Sequence, residues 1–284
     1  MARPQAILLD GDALAECLRA NMQRDAARLT ARGITPRMAT VLVGNDPASA
    51  SYVARKHIDC AQIGIAVDDI KLPATVTAPE LLAEIARLNA DPAVHGFMVQ
   101  LPLPAGLDEG VMLEAVSPAK DIDGLHPLNL GRLLAGRPNL LPCTPNAILA
   151  LLKAHAIPLA GASIAIIGRG PLVGRPLTML LSQQGIDATV TLLHSRSRDI
   201  AAVTRQADVI ICAAGQPNLL TAGMVKPGAA VVGVGISYVE GSMVSDIAPD
   251  VAAVAGWITP PHGSVGALTR AMLLANLLLA AAGD

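Results

Sequence analysis

The chain has 284 residues, 52% of them hydrophobic and 15% charged, enough to bury one large core or two ordinary ones. Net charge is −2 and there is no basic run, so nucleic-acid binding has no electrostatic support. Four scattered cysteines, Cys17, Cys60, Cys143 and Cys212, have neither metal-ligand spacing nor the look of a disulfide framework, which fits a reducing, cytoplasmic setting.

Ala6 to Asp10 reads as a strand, and Asp12 as the cap of a helix that runs to Arg32 and ends at Gly33. No long apolar region accompanies Asp10 and Asp12, so this start does not read as a signal peptide. Met38 to Gly44 is a continuous apolar strand of the buried kind. A helix spans about Ala48 to Ile63 and stops at Gly64; Ala66 to Leu72 is a third strand. Thr77 and Glu80 form a capping box for a helix to Asn89, and Gly96 to Gln100 is a fourth strand leading into LPLP. Strands alternating with helices imply a parallel sheet.

Residues Pro118 to Pro142 are rich in Asp, Gly, Asn and Pro, and mark a domain junction. Thr144 with Pro145 starts a helix to about His155. The alternation then resumes, with strands at Ser163 to Ile167, Thr189 to Leu193, Val209 to Ala213 and Ala229 to Val234, and helices after Gly174, Ser197 and Thr221. The final helix, about Val265 to Ala282, packs back on the first domain. Its most apolar stretch, Ala271 to Ala282, is shorter than the ~18 residues of a membrane span, so no membrane partner is expected.

The segment AIIGRGPLVGRP (165–176) carries the first chemical signal. Gly168, Arg169, Gly170 and Gly174 follow a strand and open a helix, where backbone amides can meet a phosphate. Alone, G-x-G-x-x-x-G is equally well explained as a plain strand-to-helix turn. In a site for NAD, an acid some 20 residues on bonds the ribose. Here the next strand ends His194-Ser195-Arg196-Ser197, with no acid. A hydroxyl and a guanidinium suit a 2′-phosphate, and Arg169 can reach the same group, so NADP is the expected cofactor. The other reading of these residues is a solvated loop in which Ser197 caps a helix.

In the first half, Tyr52 and Lys56 share a helix face. By spacing alone Lys56 is better explained as an ordinary surface lysine. Gln100 ends a strand, where parallel sheets place ligands, or simply bonds nearby backbone. Asp121 and Asp123 lie in KDIDG; no His or Cys joins them, so no metal site is expected, and Asp123 before Gly also reads as a turn former.

Together the segments VGNDPASASYVARK (43–56), GFMVQLPLP (96–104), PAKDIDGLHPLNLGRL (118–133), PCTP (142–145), IIGRGPLVGRP (166–176), ATVTLLHSRS (188–197) and VKPGAAVVGVGI (225–236) resemble one family in its own order. That family is the bifunctional methylenetetrahydrofolate dehydrogenase/cyclohydrolase, the FolD type. The resemblance implies an α/β fold: an N-terminal catalytic domain over 1–122, completed by helix 265–284, and a Rossmann NADP-binding domain over 141–264, with a cleft between them. It implies tetrahydrofolate one-carbon substrates, a homodimer, and a place in one-carbon metabolism and purine biosynthesis. It assigns Lys56 as the catalytic lysine, Tyr52 as a ring stacked on the folate, Gln100 as the partner of Lys56 and Asp123 as the pterin anchor. To the cofactor it assigns Gly168, Arg169, Gly170, Gly174, His194, Ser195, Arg196 and Ile236. A dehydrogenase without the hydrolase step, and a nucleotide-binding protein without catalysis, are the competing readings.

The chain departs from the family pattern at Gly170, Gly233, SDI (245–247) and, most of all, TPPHGSVGALT (259–269), where His262 and Ser264 stand in place of a Pro-Gly-Gly turn. Serine tolerates φ > 0 less well than glycine. The expectation is a strained or shifted loop and a dehydrogenase step slow relative to hydrolysis.

Overall fold

The protein is described here by a computed structural model, covering residues 6–239, 242–261 and 263–283. The chain begins with strand β1 (Ile7–Leu8) and helix α1 (Gly11–Ala31), followed by β2 (Arg37–Val43), α2 (Pro47–Ile63), β3 (Ala66–Leu72), α3 (Ala78–Ala90) and β4 (Gly96–Val99). Short helices α4 (Glu109–Ala115) and α5 (Pro127–Leu134) lead to α6 (Cys143–Ala154). The second half runs β5 (Ser163–Ile167), α7 (Gly174–Leu181), β6 (Thr189–Leu193), α8 (Ile200–Thr204), β7 (Val209–Cys212) and β8 (Ala230–Gly233). A hairpin of β9 (Ile236–Val239) and β10 (Ser242–Ser245), the short β11 (Trp257–Ile258) and α9 (Val265–Ala282) complete the chain.

Contacts divide the chain into two compact units: Glu16–Cys143 with Arg270–Asp284, and Met1–Ala15 with Thr144–Thr269. In the first unit, β2 lies between β3 and β4 in a parallel sheet. Its central position explains why β2 does not alternate: its residues from Met38 to Val43 are all buried. An aliphatic core of Val41, Leu81, Ile85, Leu88 and Val99 surrounds Phe97. In the second unit the sheet order is β1-β11-β8-β7-β5-β6, all parallel.

Several expectations need correction. The first strand does not serve the first-half sheet. Ile7 and Leu8 pair with Trp257 and Ile258 at the edge of the six-stranded sheet. A two-residue strand carries no periodicity of its own, so long-range bonds place it. The cap of α1 is Asp10, which accepts Ala13 N at 3.0 Å, while Asp12 accepts Ser264 N at 2.9 Å. The helix expected after Ser197 is only α8, capped by Asp199, and the one after Thr221 is a single 3₁₀ turn. The loop-like stretch 118–142 contains α5. Helix α9 as a whole reaches the length and hydropathy of a membrane span, because it begins before its most apolar stretch; yet most of its residues are buried within the protein.

The altered loop also has a physical account at Ser264. Its φ is 59°, in the left-handed region, and the residue is 1% exposed. The hydroxyl donates to Leu9 O at 2.9 Å and accepts Gly11 N at 3.2 Å. Gly11 has to be glycine there, since a Cβ would stand 2.6 Å from Ser264 backbone atoms. His262 lies outside the described residues.

Candidate functional site

The first unit builds one polar cluster inside an aliphatic core. Helix α2 starts at Asp46, whose carboxylate accepts Ser49 N at 2.8 Å, continues through Pro47, and stops at Gly64 with φ 81°. These signals fix the helix register, and with it the buried stripe Ser49, Val53, Lys56, Cys60 and Ile63. Lys56 therefore points inward and is only 4% exposed.

Its amine lies 4.5 Å from the centre of the Tyr52 ring, one helical turn earlier. It also donates to Gln100 Oε1 at 3.3 Å and to the Met98 thioether at 2.8 Å. The Gln100 amide is oriented by its own Nε2, which donates to Leu101 O at 2.6 Å, so its oxygen faces the lysine. Burial pushes the Lys56 pKa down, against the charges of Asp123 and the Cys143 thiol; the Arg270 cation adds to the lowering. Tyr52 is pushed up to about 12, first by burial and then by Asp123, and stays a neutral phenol. Asp123 is itself raised by burial, with Lys56 pulling it back.

The KDIDG loop is held from several sides. Lys120 Nζ donates to Leu88 O at 3.0 Å and Asp91 O at 2.6 Å at the end of α3. Asp121 accepts His126 N and Asn129 Nδ2, each at 2.8 Å, so its carboxylate serves its own loop. Gly96 lets Ile122 lie against β4, since a Cβ would stand 2.1 Å from that side chain. Asn276, in α9, donates to Ile122 O and Leu141 O at 2.8 Å each, on both sides of the segment that carries Asp123. Among the described residues no cluster of three or more His, Cys, Asp or Glu could hold a metal ion.

Three members were not singled out from the sequence. Met98 lies two residues before Gln100 on a strand, hence on the same face. Asn276 is a polar residue within an apolar helix, where burial demands hydrogen-bond partners. Cys143 is brought beside Lys56 and Asp123 electrostatically only by the fold.

The second unit gathers the remaining candidates at the carboxyl ends of its strands. Gly168, at the end of β5, has φ 118°, and a Cβ there would stand 2.2 Å from Ala213 O. A Cβ on Gly174 would stand 1.8 Å from Gly168 O. Both glycines are therefore required to fold the turn tightly. Gly170 is exposed with open space around its Cβ position, so the geometry does not demand glycine there. Arg169 is exposed beside it. Gly168 N donates to Leu193 O at 2.9 Å, which brings the end of β6 alongside. There His194 N donates to Ser197 Oγ at 2.9 Å, and Arg196 N to His194 Nδ1 at 3.1 Å. Ser197 thus closes its own turn instead of capping α8. Ser195 and Arg196 are left exposed. Ile236 begins β9, 45% exposed, after Gly235, whose N–H reaches Cys212 O at 3.2 Å. The tight glycine turn, the exposed guanidinium groups and the lack of an acid fit a dinucleotide with a 2′-phosphate.

Comparison with known proteins agrees with this geometry. Residues 9–123 match the tetrahydrofolate dehydrogenase/cyclohydrolase catalytic domain, and residues 142–284 the NAD(P)-binding domain of the same family. The bifunctional FolD methylenetetrahydrofolate dehydrogenase/cyclohydrolase of Campylobacter jejuni is 42% identical, with 98% of this chain and 99% of that one covered at a TM-score of 0.95. The FolD methylenetetrahydrofolate dehydrogenase-cyclohydrolase of Trypanosoma brucei, solved with NADP and an inhibitor, is 37% identical, with 99% and 98% covered and a TM-score of 0.93. The bifunctional enzyme of Thermoplasma acidophilum is 33% identical, with 97% and 98% covered and a TM-score of 0.91.

Proposed function

The chain belongs to the tetrahydrofolate dehydrogenase/cyclohydrolase family, and on that footing we propose that it oxidises 5,10-methylenetetrahydrofolate with NADP and hydrolyses the resulting 5,10-methenyltetrahydrofolate to 10-formyltetrahydrofolate. The observation that carries this reading is the buried Lys56 amine, held by Gln100 and Met98 over the Tyr52 ring, with its pKa lowered.

A neutral Lys56 draws a proton from the water that adds to the methenyl carbon. Burial and the cationic substrate both favour that neutral form. Gln100 holds the amine without adding charge. The Tyr52 ring offers the pterin a flat face, and the Asp123 carboxylate accepts its row of amide and amine donors. NADP, when bound, supplies the hydride acceptor. Gly168, Gly170 and Gly174 would admit its pyrophosphate; Arg169, Ser195 and Arg196 would take the 2′-phosphate, with His194 and Ile236 completing the site. A dehydrogenase without hydrolysis, or a nucleotide-binding protein without catalysis, gives the Lys56 cluster no task.

We place the enzyme in the cytoplasm as a homodimer serving one-carbon metabolism and purine biosynthesis. Four unpaired cysteines and a net charge of −2 support the compartment and the lack of a nucleic-acid partner. The dimer rests on the resemblance to the family. During turnover of methylenetetrahydrofolate, NADPH and 10-formyltetrahydrofolate should appear in step, with little methenyl accumulating. Methenyl that accumulates in equal amount to NADPH would leave only the dehydrogenase, and no NADPH at all would overturn the reading.

A further inference from the structure

Asp246 is a fully buried carboxylate that the chemistry above does not use. Its Oδ2 accepts Ala214 N at 2.7 Å and Gly215 N at 3.0 Å, and its Oδ1 accepts Gln216 N at 2.8 Å. Three successive amides aimed at one anion make a nest of the kind that usually binds a free phosphate or carboxylate. Here a side chain of the protein fills it. The buried Cys212 lies beside this carboxylate, and among the described residues no cation forms a salt bridge with it. The space is prepared by Gly235, where a Cβ would stand 2.0 Å from Asp246 Oδ2.

The loop so held has a particular place. Ala214, Gly215 and Gln216 are exposed, although the group that ties them down is not. They follow β7 after one residue, Ala213, whose N donates to Ile167 O at 2.7 Å at the end of β5. Ala213 O is also the atom that forbids a side chain on Gly168. The loop is therefore the neighbour of the dinucleotide turn. A second tie comes from Ser237 Oγ, which donates to Gly215 O at 3.0 Å, beside Ile236. A buried carboxylate is costly unless fully bonded, and three charge-assisted bonds convert it into a rigid support.

We propose that Asp246 is a positioning residue for the nicotinamide dinucleotide: it preforms the Ala214–Gln216 loop as a wall beside the Gly168 turn. The inference rests on the NADP reading of this unit. Hydrogen exchange in the cofactor-free wild type tests it without any substitution. The amides of Ala214, Gly215 and Gln216 should exchange at least about tenfold more slowly than free loop amides, despite their exposure. Exchange at the unprotected rate would overturn the proposal. Asp246→Asn removes at least one of the three bonds, and Gly235→Ala displaces the carboxylate while keeping its charge. In each, the Kd for NADP measured by fluorescence titration should rise about 10- to 100-fold. The KM for NADP should rise more than kcat falls. Unchanged NADP affinity in either folded variant, or an equal loss of methenyl hydrolysis assayed without NADP, would overturn it. A wild-type protein that binds no NADP would instead overturn the functional reading on which it stands.

Discussion

Ser264 combines an unfavourable backbone with a useful side chain. Its left-handed φ of 59° costs about 1 kcal/mol for a non-glycine residue. Its hydroxyl bonds Leu9 O and Gly11 N in a buried setting, where leaving both unmet costs about 1–3 kcal/mol. Ser264→Ala keeps the backbone cost and loses both bonds; Ser264→Gly loses the bonds but relieves the backbone. Denaturant unfolding should rank wild type above the glycine variant and glycine above alanine. A glycine variant more stable than wild type would mean that strain outweighs the bonds. At Lys56 the deciding quantity is charge. Its lowered pKa means that the amine gains a proton only as pH falls below that lowered value, so methenyl hydrolysis should decline on the acid side and level off above it. Gln100→Glu would set a carboxylate beside the amine, favour the ammonium, and move the pH–rate profile upward by about one unit or more. A profile that moves down would contradict the assignment of Lys56 as the base.

At the scale of elements, legibility followed the strength of local signals. Helix α2 could be read from its stop at Gly64, and α3 from the Thr77–Glu80 box, in which Thr77 N donates to Glu80 Oε2 at 2.8 Å. The buried strands β2, β5 and β7, and the half-buried β6 with its threonines and valine, announced themselves as apolar or β-branched runs between turn residues. The β9–β10 hairpin and the two-residue strand β11 did not, because pairing and tertiary bonds define elements too short to show a period; β1 and α8 stand where a strand and a helix are expected, but β1 pairs with β11 and α8 is only five residues long. The glycine turn was legible as a turn, but the reason for glycine at 168 and 174 is a contact, with Ala213 O and Gly168 O respectively, that no spacing reveals. At the end of β6, the turn closed by His194 and Ser197 leaves the Arg196 side chain to solvent, as Arg169 is. Neutral residues in place of Arg169 and Arg196 should weaken NADP about 10- to 100-fold while affecting NAD far less. Equal losses for the two cofactors would show that neither guanidinium reads the 2′-phosphate.

Across the whole molecule, chemistry is assembled from distant segments. The polar cluster of the first unit draws Lys56 from α2, Gln100 from the end of β4, Asp123 from the loop before α5, Cys143 from the start of α6, and Asn276 from α9. Tyr52 and Lys56 were a pair in the sequence, but spacing alone favoured an ordinary surface lysine over a catalytic one. Only the order of several motifs, and then the fold, brought the others to it. Asp246 was passed over because a single acid in a short strand-to-turn segment carries no signal until its three amide donors are seen. The central claim is that the buried amine performs the hydrolysis. Single-turnover hydrolysis of methenyltetrahydrofolate, measured in the wild type and in Lys56→Ala with NADP affinity as the control for folding, tests it most directly. The account predicts a fall of about 10²- to 10⁴-fold with NADP binding retained. A near-normal rate in the alanine variant would contradict it.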